Sequence, residues 1–411
     1  MKTEPATCTM PRWLSIVGIG EDGIDGLSAV AQRLVASAEL VVGGTRHLAM
    51  ADSLIGGRKL PWSSPLDHTL REVAAHRGRA VVVLASGDPF HYGIGRQLAA
   101  FAAPEEFVCL PQPSAYSLAA ARLGWSLQDV ALVTLHGRAL EGVIRHLQPG
   151  AKILALSWDG ATPAKLAALL VARGMGGSRI TVLEAMGGPR EKIRQAIAAD
   201  FIIDTIDPLN TIAIEVVCAP HAMTLPFAPG LDDALFENDG QLTKREIRAI
   251  TLSALAPRHG ELLWDVGLGA GSVAIEWLLC HPSLRAIGIE ARAERADRAA
   301  RNAAALGVPE LQIVQGDAPA ALQGLPTPDA VFIGGGMGDD GVFAAVWDAL
   351  KPGGRLVVNA VSLETESRLG DLFREHGGEL VRLQVSKADR VGNMYGWRPA
   401  MPVTQWRVTK P

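Results

Sequence analysis

Short runs of β-branched and aliphatic residues alternate with longer, Ala/Leu-rich amphipathic runs along the chain. In the first half this pattern predicts strands at 14–17, 40–42, 80–84, 107–110, 131–135, 153–157, 180–184 and 211–217. Helices are predicted at 27–36, 93–102, 114–123, 163–172 and 190–198. The strand candidates are apolar throughout, which implies sheets covered on both faces and an α/β fold.

A change of punctuation follows Val217. The segment CAPHAMTLPFAPGLDDALFENDGQ carries three prolines and two glycines without a period, and reads as a linker. It divides the chain near Pro229 into domains 1–228 and 229–411. A second series then places strands at 262–266, 286–290, 312–315, 330–333, 355–360, 381–385 and near 405–409. Its helices fall at 271–280, 294–306, 342–350 and 364–375. Five parallel strands followed by two without an intervening helix predict a doubly wound, seven-stranded sheet with an antiparallel edge.

Composition narrows the function. The 411 residues carry 39 basic and 43 acidic side chains, a formal charge of −4, which argues against nucleic acid as a partner. Cys8, Cys109, Cys218 and Cys280 lie far apart, so neither a zinc site nor a disulfide framework is expected. The opening MKTEPATCTMPRW has no apolar core of a secretory signal. No run of about 18 apolar residues marks a membrane span. A soluble, cytoplasmic protein without a metal is expected.

The strongest local signal is LLWDVGLGAGSVAIEW. A strand ends in Asp265, Gly267, Gly269 and Gly271 form a loop, and a helix follows. Without Cβ atoms, such a loop lets a ligand approach the backbone and the helix start. Ser272 stands where a dinucleotide fingerprint needs glycine. The Asp-x-Gly-x-Gly-x-Gly spacing resembles the class I S-adenosylmethionine (SAM) methyltransferases. That resemblance implies SAM contacts from Asp265, Gly267, Leu268, Gly269, Ala270 and Gly271. Glu290, at the tip of the next strand, would accept from ribose hydroxyls, and Asp317 and Ala318 would meet the adenine. The plainer readings are a tight turn, a solvated Glu290 beside a helix start, and Asp317 capping the 319–322 turn. The fourth strand ends VFIGGGMGDD, where methyltransferases of base or glutamine amines carry an Asn/Asp-Pro-Pro-aromatic run. Gly334, Gly335, Gly336 and Gly338 leave space instead, which suits a large substrate. Arg295, Arg298 and Arg301 read as a solvated helix face.

The first half contains VGIGEDG, which matches Gly-x-Gly-x-x-Gly at Gly18, Gly20 and Gly23. Asp25 and Gly26 intervene before the helix, the next strand ends in glycines, and Glu39 lies at that strand's wrong end. NAD binding is therefore not expected. Other motifs are VVLASGDPFHYGIG, LPQPSAYSLAAARLGW, LVTLHGR and LEAMGGPRE. This ordered set resembles the tetrapyrrole methylase family, a two-lobed α/β fold that holds SAM between its lobes. By that resemblance Gly87, Asp88, Pro89, Ser114, Ala115, Leu135 and Met186 would line the SAM cleft, and Gly18 and Gly20 would face the tetrapyrrole. QPSAY stands where a Pro-Gly-x-Ser run is more usual. Asp88 is equally a turn cap, Tyr92 is as readily a core residue as a functional one, and His136 reads as positional rather than a base. Arg46, Arg138 and Arg190 are candidates for substrate carboxylates, and each is equally readable as ordinary surface charge.

The two resemblances in this order are those of the fused precorrin methyltransferases (decarboxylating) of cobalamin biosynthesis, over essentially the whole chain. They extend to LTKREIRAITLSAL, GDAPAAL, ALKPGGRLVVNAVSLET and GNMYGWRPAMPV. The resemblance implies one SAM per domain, Thr243 among the SAM contacts, and a homo-oligomer. It implies conversion of precorrin-6B to precorrin-8X: methylation at C5 by the first domain, and methylation at C15 with loss of the ring C acetate carboxyl by the second. Gly334, Gly335 and Arg138 join the substrate candidates. The alternative is a SAM methyltransferase of another large planar molecule, with one domain only binding tetrapyrrole.

Overall fold

The computed structural model describes residues 12–338 and 341–411. Cys8 lies outside them. The chain forms two compact units, one of Met1–Arg138 and Gln148–Met223, the other of Ala139–Leu147 and Thr224–Pro411.

The first unit holds two five-stranded sheets. Strands β1 (Leu14–Ile19), β2 (Leu40–Gly43), β3 (Arg58–Pro61), β4 (Val81–Ser86) and β5 (Phe107–Leu110) form an all-parallel sheet in the order β3-β2-β4-β1-β5. Alternation along β1 and β4 splits their side chains between two cores. Leu14, Ile16, Val81 and Val83 pack on one face, and Val17, Ile19, Val82 and Leu84 on the other. Both faces are therefore covered, as the unbroken apolar runs require.

The second sheet contains β6 (Val130–Thr134), β7 (Lys152–Leu156), β8 (Arg179–Glu184), β9 (Lys192–Ile197) and β10 (Asn210–Glu215), ordered β6-β7-β10-β8-β9. Only β6 and β7 run parallel. Strand β9 corrects the helix predicted at 190–198. Its residues alternate between half-buried and exposed at the sheet edge, and pairing with β8 overrides their helical composition. The helix predicted at 93–102 contracts to Gly95–Leu98, because Gly93 and Gly95 fold tightly onto the Pro89 carbonyl. Strand β3, a polar parallel edge of four residues, gave no apolar signal.

The second unit is built on β11 (Leu262–Val266), β12 (Arg285–Glu290), β13 (Gln312–Gln315), β14 (Ala330–Ile333), β15 (Arg355–Ala360), β16 (Glu379–Leu383), the separate hairpin β17 (Ser386–Val391) with β18 (Met394–Pro399), and β19 (Val403–Thr409). Its seven-stranded sheet is ordered β13-β12-β11-β14-β15-β19-β16. The first five are parallel, and β19 runs antiparallel to both neighbours. The antiparallel strand is thus inserted beside the edge rather than forming it. Trp264, Val331, Leu356 and Trp406 anchor the core beneath it.

Candidate functional site

In the second unit the ends of β11, β12, β13 and β14 come side by side, because these strands are adjacent and parallel. After β11 the chain turns through Gly267, Gly269 and Gly271, at φ of 76°, 57° and 79°. This left-handed region favours glycine. The N–H groups of Gly267 and Leu268 both donate to the Ile289 carbonyl at 3.0 Å, and Gly271 N–H closes a turn on Leu268 at 2.9 Å. Leu268 is buried over Gly288, where any Cβ would lie 2.5 Å from its methyl groups.

Glu290 is 5% exposed, and one of its carboxylate oxygens is bonded to this loop. Oε2 accepts from Gly269 N–H at 2.8 Å and Oε1 from Arg292 N–H at 3.1 Å. The solvated reading of Glu290 is thereby corrected. Asp265 is fully buried; Oδ2 accepts from Ala274 N–H at 3.0 Å, and Oδ1 has no partner among the described residues. Burial, partly opposed by that N–H and aided by the nearby Glu290 charge, pushes the Asp265 carboxyl up to about 8.

Asp317 is exposed. Its backbone carbonyl, not its side chain, accepts from Ala321 N–H at 2.9 Å, so the side-chain cap reading is corrected. Ala318 is half-buried beside it. Gly334, Gly335 and Gly336 are exposed, and a Cβ on Gly335 would meet nothing within 4 Å.

Sequence reasoning missed the residues that hold the loop's outer wall. Asn302 donates to the carbonyls of Ala270 and Glu237, both at 2.9 Å, and accepts from Glu237 N–H at 2.8 Å. Arg295 and Arg298 reach Asp239 at 2.8 and 3.2 Å, and Arg301 reaches Glu237 at 2.6 Å. The three arginines are therefore not a bare solvated face; they fasten the segment leading to Thr243. A lone Asn on the apolar side of an Ala-rich helix was the available signal. Thr243 is half-buried, and its carbonyl accepts from Arg248.

Arg248 and Glu276 are both buried and joined by Nε–Oε1 at 2.5 Å. Glu276 also accepts from the N–H groups of Gly230 and Leu231, and so pins the start of this unit.

The donor set suits SAM. A carboxylate at a strand tip, an orphaned buried acid oxygen, backbone N–H groups and glycine-made space occur together, and the space over Gly335 would be filled by a side chain.

In the first unit Gly87 (φ 52°) sits against Pro113 and Ser114; a Cβ there would lie 2.8 Å from the Pro113 carbonyl oxygen. Asp88 Oδ1 accepts from Phe90 N–H at 2.9 Å, the turn-capping arrangement, and Pro89 is buried. Ser114 Oγ caps the Ala115–Leu123 helix through Ser117 N–H at 3.2 Å. Ala115 and Met186 pack in one core with Tyr116. Leu135 is buried at the end of β6, and its carbonyl accepts from Arg138 N–H at 3.3 Å. Gly18 is buried, with no room for a Cβ beneath the Gly87 oxygen and Gln112 nitrogen, while Gly20 is half-buried against Asp22. Tyr92 is 52% exposed, which decides against the core alternative. His136 is exposed beside Trp158, their ring centroids 6.1 Å apart. Arg46 and Arg190 both pair with Glu21. Beside them burial lowers the His47 imidazole to about 4, with help from Arg46.

Among the described residues no three His, Cys, Asp or Glu side chains cluster as a metal site, and no helix is long and apolar enough to cross a membrane.

Comparison with known proteins follows the same division. Residues 14–201 match the tetrapyrrole (corrin/porphyrin) methylase family, and residues 234–410 match the precorrin methyltransferase domain. A curated precorrin-6Y C(5,15)-methyltransferase (decarboxylating) of Sinorhizobium sp is 56% identical over 408 residues, covering 99% of this chain and 98% of that protein. Its counterpart from Mycobacterium tuberculosis strain H37Rv is 38% identical over 398 residues, covering 96% and 99%. The crystal structure of the C-terminal domain of the Rhodobacter capsulatus precorrin-6Y C5,15-methyltransferase is 47% identical, covers 45% of this chain and 100% of that one, and has a TM-score of 0.43. With near-complete coverage in both directions at this identity, the chain belongs to the precorrin-6Y C5,15-methyltransferase (decarboxylating) family.

Proposed function

We propose that this protein methylates a precorrin at C5 and C15 and removes the carboxyl of its ring C acetate, in cobalamin biosynthesis. Domain 1–228 serves C5, and domain 229–411 serves C15 and the decarboxylation, with one SAM in each. The observation that carries the reading is the glycine loop of the second unit, closed on Glu290 at 2.8 Å, in one chain with a tetrapyrrole methylase half.

When bound, SAM supplies a methyl group already activated on a sulfonium. In the second unit Glu290 would hold the ribose, the 267–271 backbone the amino-acid end, Asp317 and Ala318 the adenine, and Thr243 a further edge. Asp265 stiffens the loop from beneath through Ala274 N–H. Gly334 and Gly335 leave room for the macrocycle. In the first unit Gly87, Asp88, Pro89, Ser114, Ala115, Leu135 and Met186 would serve SAM, with Gly20 and Arg138 toward substrate.

An electron-rich ring carbon of the substrate is itself the nucleophile. The chain's task is to hold carbon and methyl in line and exclude water, which needs no activated side-chain nucleophile. On decarboxylation the electron pair left by carbon dioxide enters the conjugated C=N system of the ring. The protein is taken to work as a homo-oligomer.

Calorimetric titration of the full chain with SAM is expected to give two sites. Mass spectrometry of the precorrin product is expected to show two methyl groups gained and one carbon dioxide lost. A single SAM site, abolished by Glu290→Gln, would sink the two-centre reading and leave the first unit as a tetrapyrrole-holding module.

A further inference from the structure

Tyr92 stands out among the first unit's exposed residues. Its φ of 58° places a bulky non-glycine residue in the left-handed region, a conformation that disfavours any side chain with a Cβ. The residue is nonetheless 52% exposed, so only about half of it is buried to offset the strain. Such an outlier, half exposed, points to function.

The ring is braced from behind. It stacks on His91 at 5.4 Å and 22°, and His91 lies 4.8 Å from Tyr116. Tyr116 is buried and donates its hydroxyl to the Val133 carbonyl at 2.7 Å. His91 N–H is tied to the Asp88 carbonyl at 3.1 Å. Tyr92 is thereby linked to the Asp88 turn, the Ala115–Leu123 helix and strand β6. The Arg138 guanidinium lies over its ring, 5.8 Å from the centroid. Arg46 and Arg190 already share the Glu21 carboxylate, whereas Arg138 has no carboxylate partner among the described residues.

We propose that Tyr92 is a substrate-positioning residue: its ring meets the conjugated plane of the tetrapyrrole and holds the Arg138 guanidinium toward one of the substrate's peripheral carboxylates. The inference rests on the reading of the first unit as the C5-methylating domain. A flat, rigid aromatic suits a flat macrocycle, and a guanidinium stacked on it keeps its N–H edge free for a carboxylate.

The test is C5 methylation by the full-length protein, with Tyr92→Gly, Tyr92→Phe and Arg138→Gln compared with the unaltered chain. Glycine relieves the backbone strain, so Tyr92→Gly should keep or raise Tm. The KM for precorrin should rise about tenfold with kcat little changed, and the calorimetric SAM sites should persist. Tyr92→Phe should stay within about threefold, and Arg138→Gln should match Tyr92→Gly. An unchanged KM in Tyr92→Gly overturns the inference. So does a parallel loss of SAM affinity, which would make the ring a cofactor contact, or a smaller sedimenting species, which would make it a subunit contact. If the unaltered protein places no methyl at C5, the underlying reading fails, and the inference falls with it.

Discussion

Two glycines of the second unit's loop should respond to the same substitution in opposite ways. Gly267 and Gly269 both have positive φ, 76° and 57°, so alanine at either is strained by about 1–2 kcal/mol. They differ in what a Cβ would meet. At Gly267 it would lie 2.9 Å from the Gly335 nitrogen, 3.0 Å from its oxygen and 3.1 Å from its Cα. Those are backbone atoms that cannot rotate aside, and overpacking of that kind adds about 1–3 kcal/mol. At Gly269 the nearest atoms are the Gln241 and Gly267 carbonyl oxygens, both at 3.9 Å, which is ordinary contact. Gly267→Ala should therefore lose about 2–5 kcal/mol of stability and Gly269→Ala about 1–2 kcal/mol. The order reverses for the ligand. A methyl on Gly269 enters the open space beside Glu290, where SAM is proposed to lie. Urea unfolding reads the first effect and calorimetric SAM titration the second. Gly269→Ala should remain folded while its second-unit SAM site weakens at least about tenfold, or about 1.4 kcal/mol. A Gly269→Ala protein that binds SAM at both sites with unchanged affinity would refute the placement of the ligand. Equal destabilisation of the two variants would refute the steric argument.

Glu290→Gln removes the charge that receives the Gly269 and Arg292 N–H groups, and should weaken SAM at the second unit by about 1.5–3 kcal/mol, read by calorimetry. Asp265 gives a pH signature. Its folded-state value, about 8, lies above the ordinary 3.8, so the stabilising proton is fully held below about pH 4 and its benefit declines as pH rises toward 8. Urea unfolding at pH 6.0 and 7.5 should show a loss of about 2 kcal/mol that Asp265→Asn flattens; parallel slopes would refute it. Arg248→Met leaves Glu276 buried without its cation and should lose about 3–5 kcal/mol, while adding Glu276→Gln, which removes the buried charge yet keeps an oxygen for the Gly230 and Leu231 N–H groups, should recover part of it. A double variant as unstable as the single one would show that the ion pair is not what buries well there.

The second unit's ligand edge was legible because its signals are local. An apolar run ending in Asp265, three glycines at alternate positions and an acid at the next strand tip each reflect a constraint on that residue's own backbone or reach. The same holds for Ser114, whose hydroxyl caps the helix it precedes. Strand β9 was not legible: KIRQAI reads as an amphipathic helix in isolation, and only the free edge of β8 makes it extended. Arg295, Arg298 and Arg301 have the spacing of a solvated stripe, yet pair with Asp239 and Glu237, more than fifty residues earlier in the chain. Tyr92 was open between core and surface in the sequence, and the fold exposes it.

The sequence by itself determined the α/β class, the two families in their order, and the loops at the strand ends, since these follow from periodicity, glycine and residue chemistry along a few consecutive positions. The tertiary structure decided which strands neighbour which, where β19 inserts, how Asn302 and the arginines brace the glycine loop, and which of the three candidate arginines has no carboxylate partner among the described residues. Those outcomes depend on residues brought together across long stretches of chain, where pairing, burial and desolvation are properties of the packed assembly rather than of any segment.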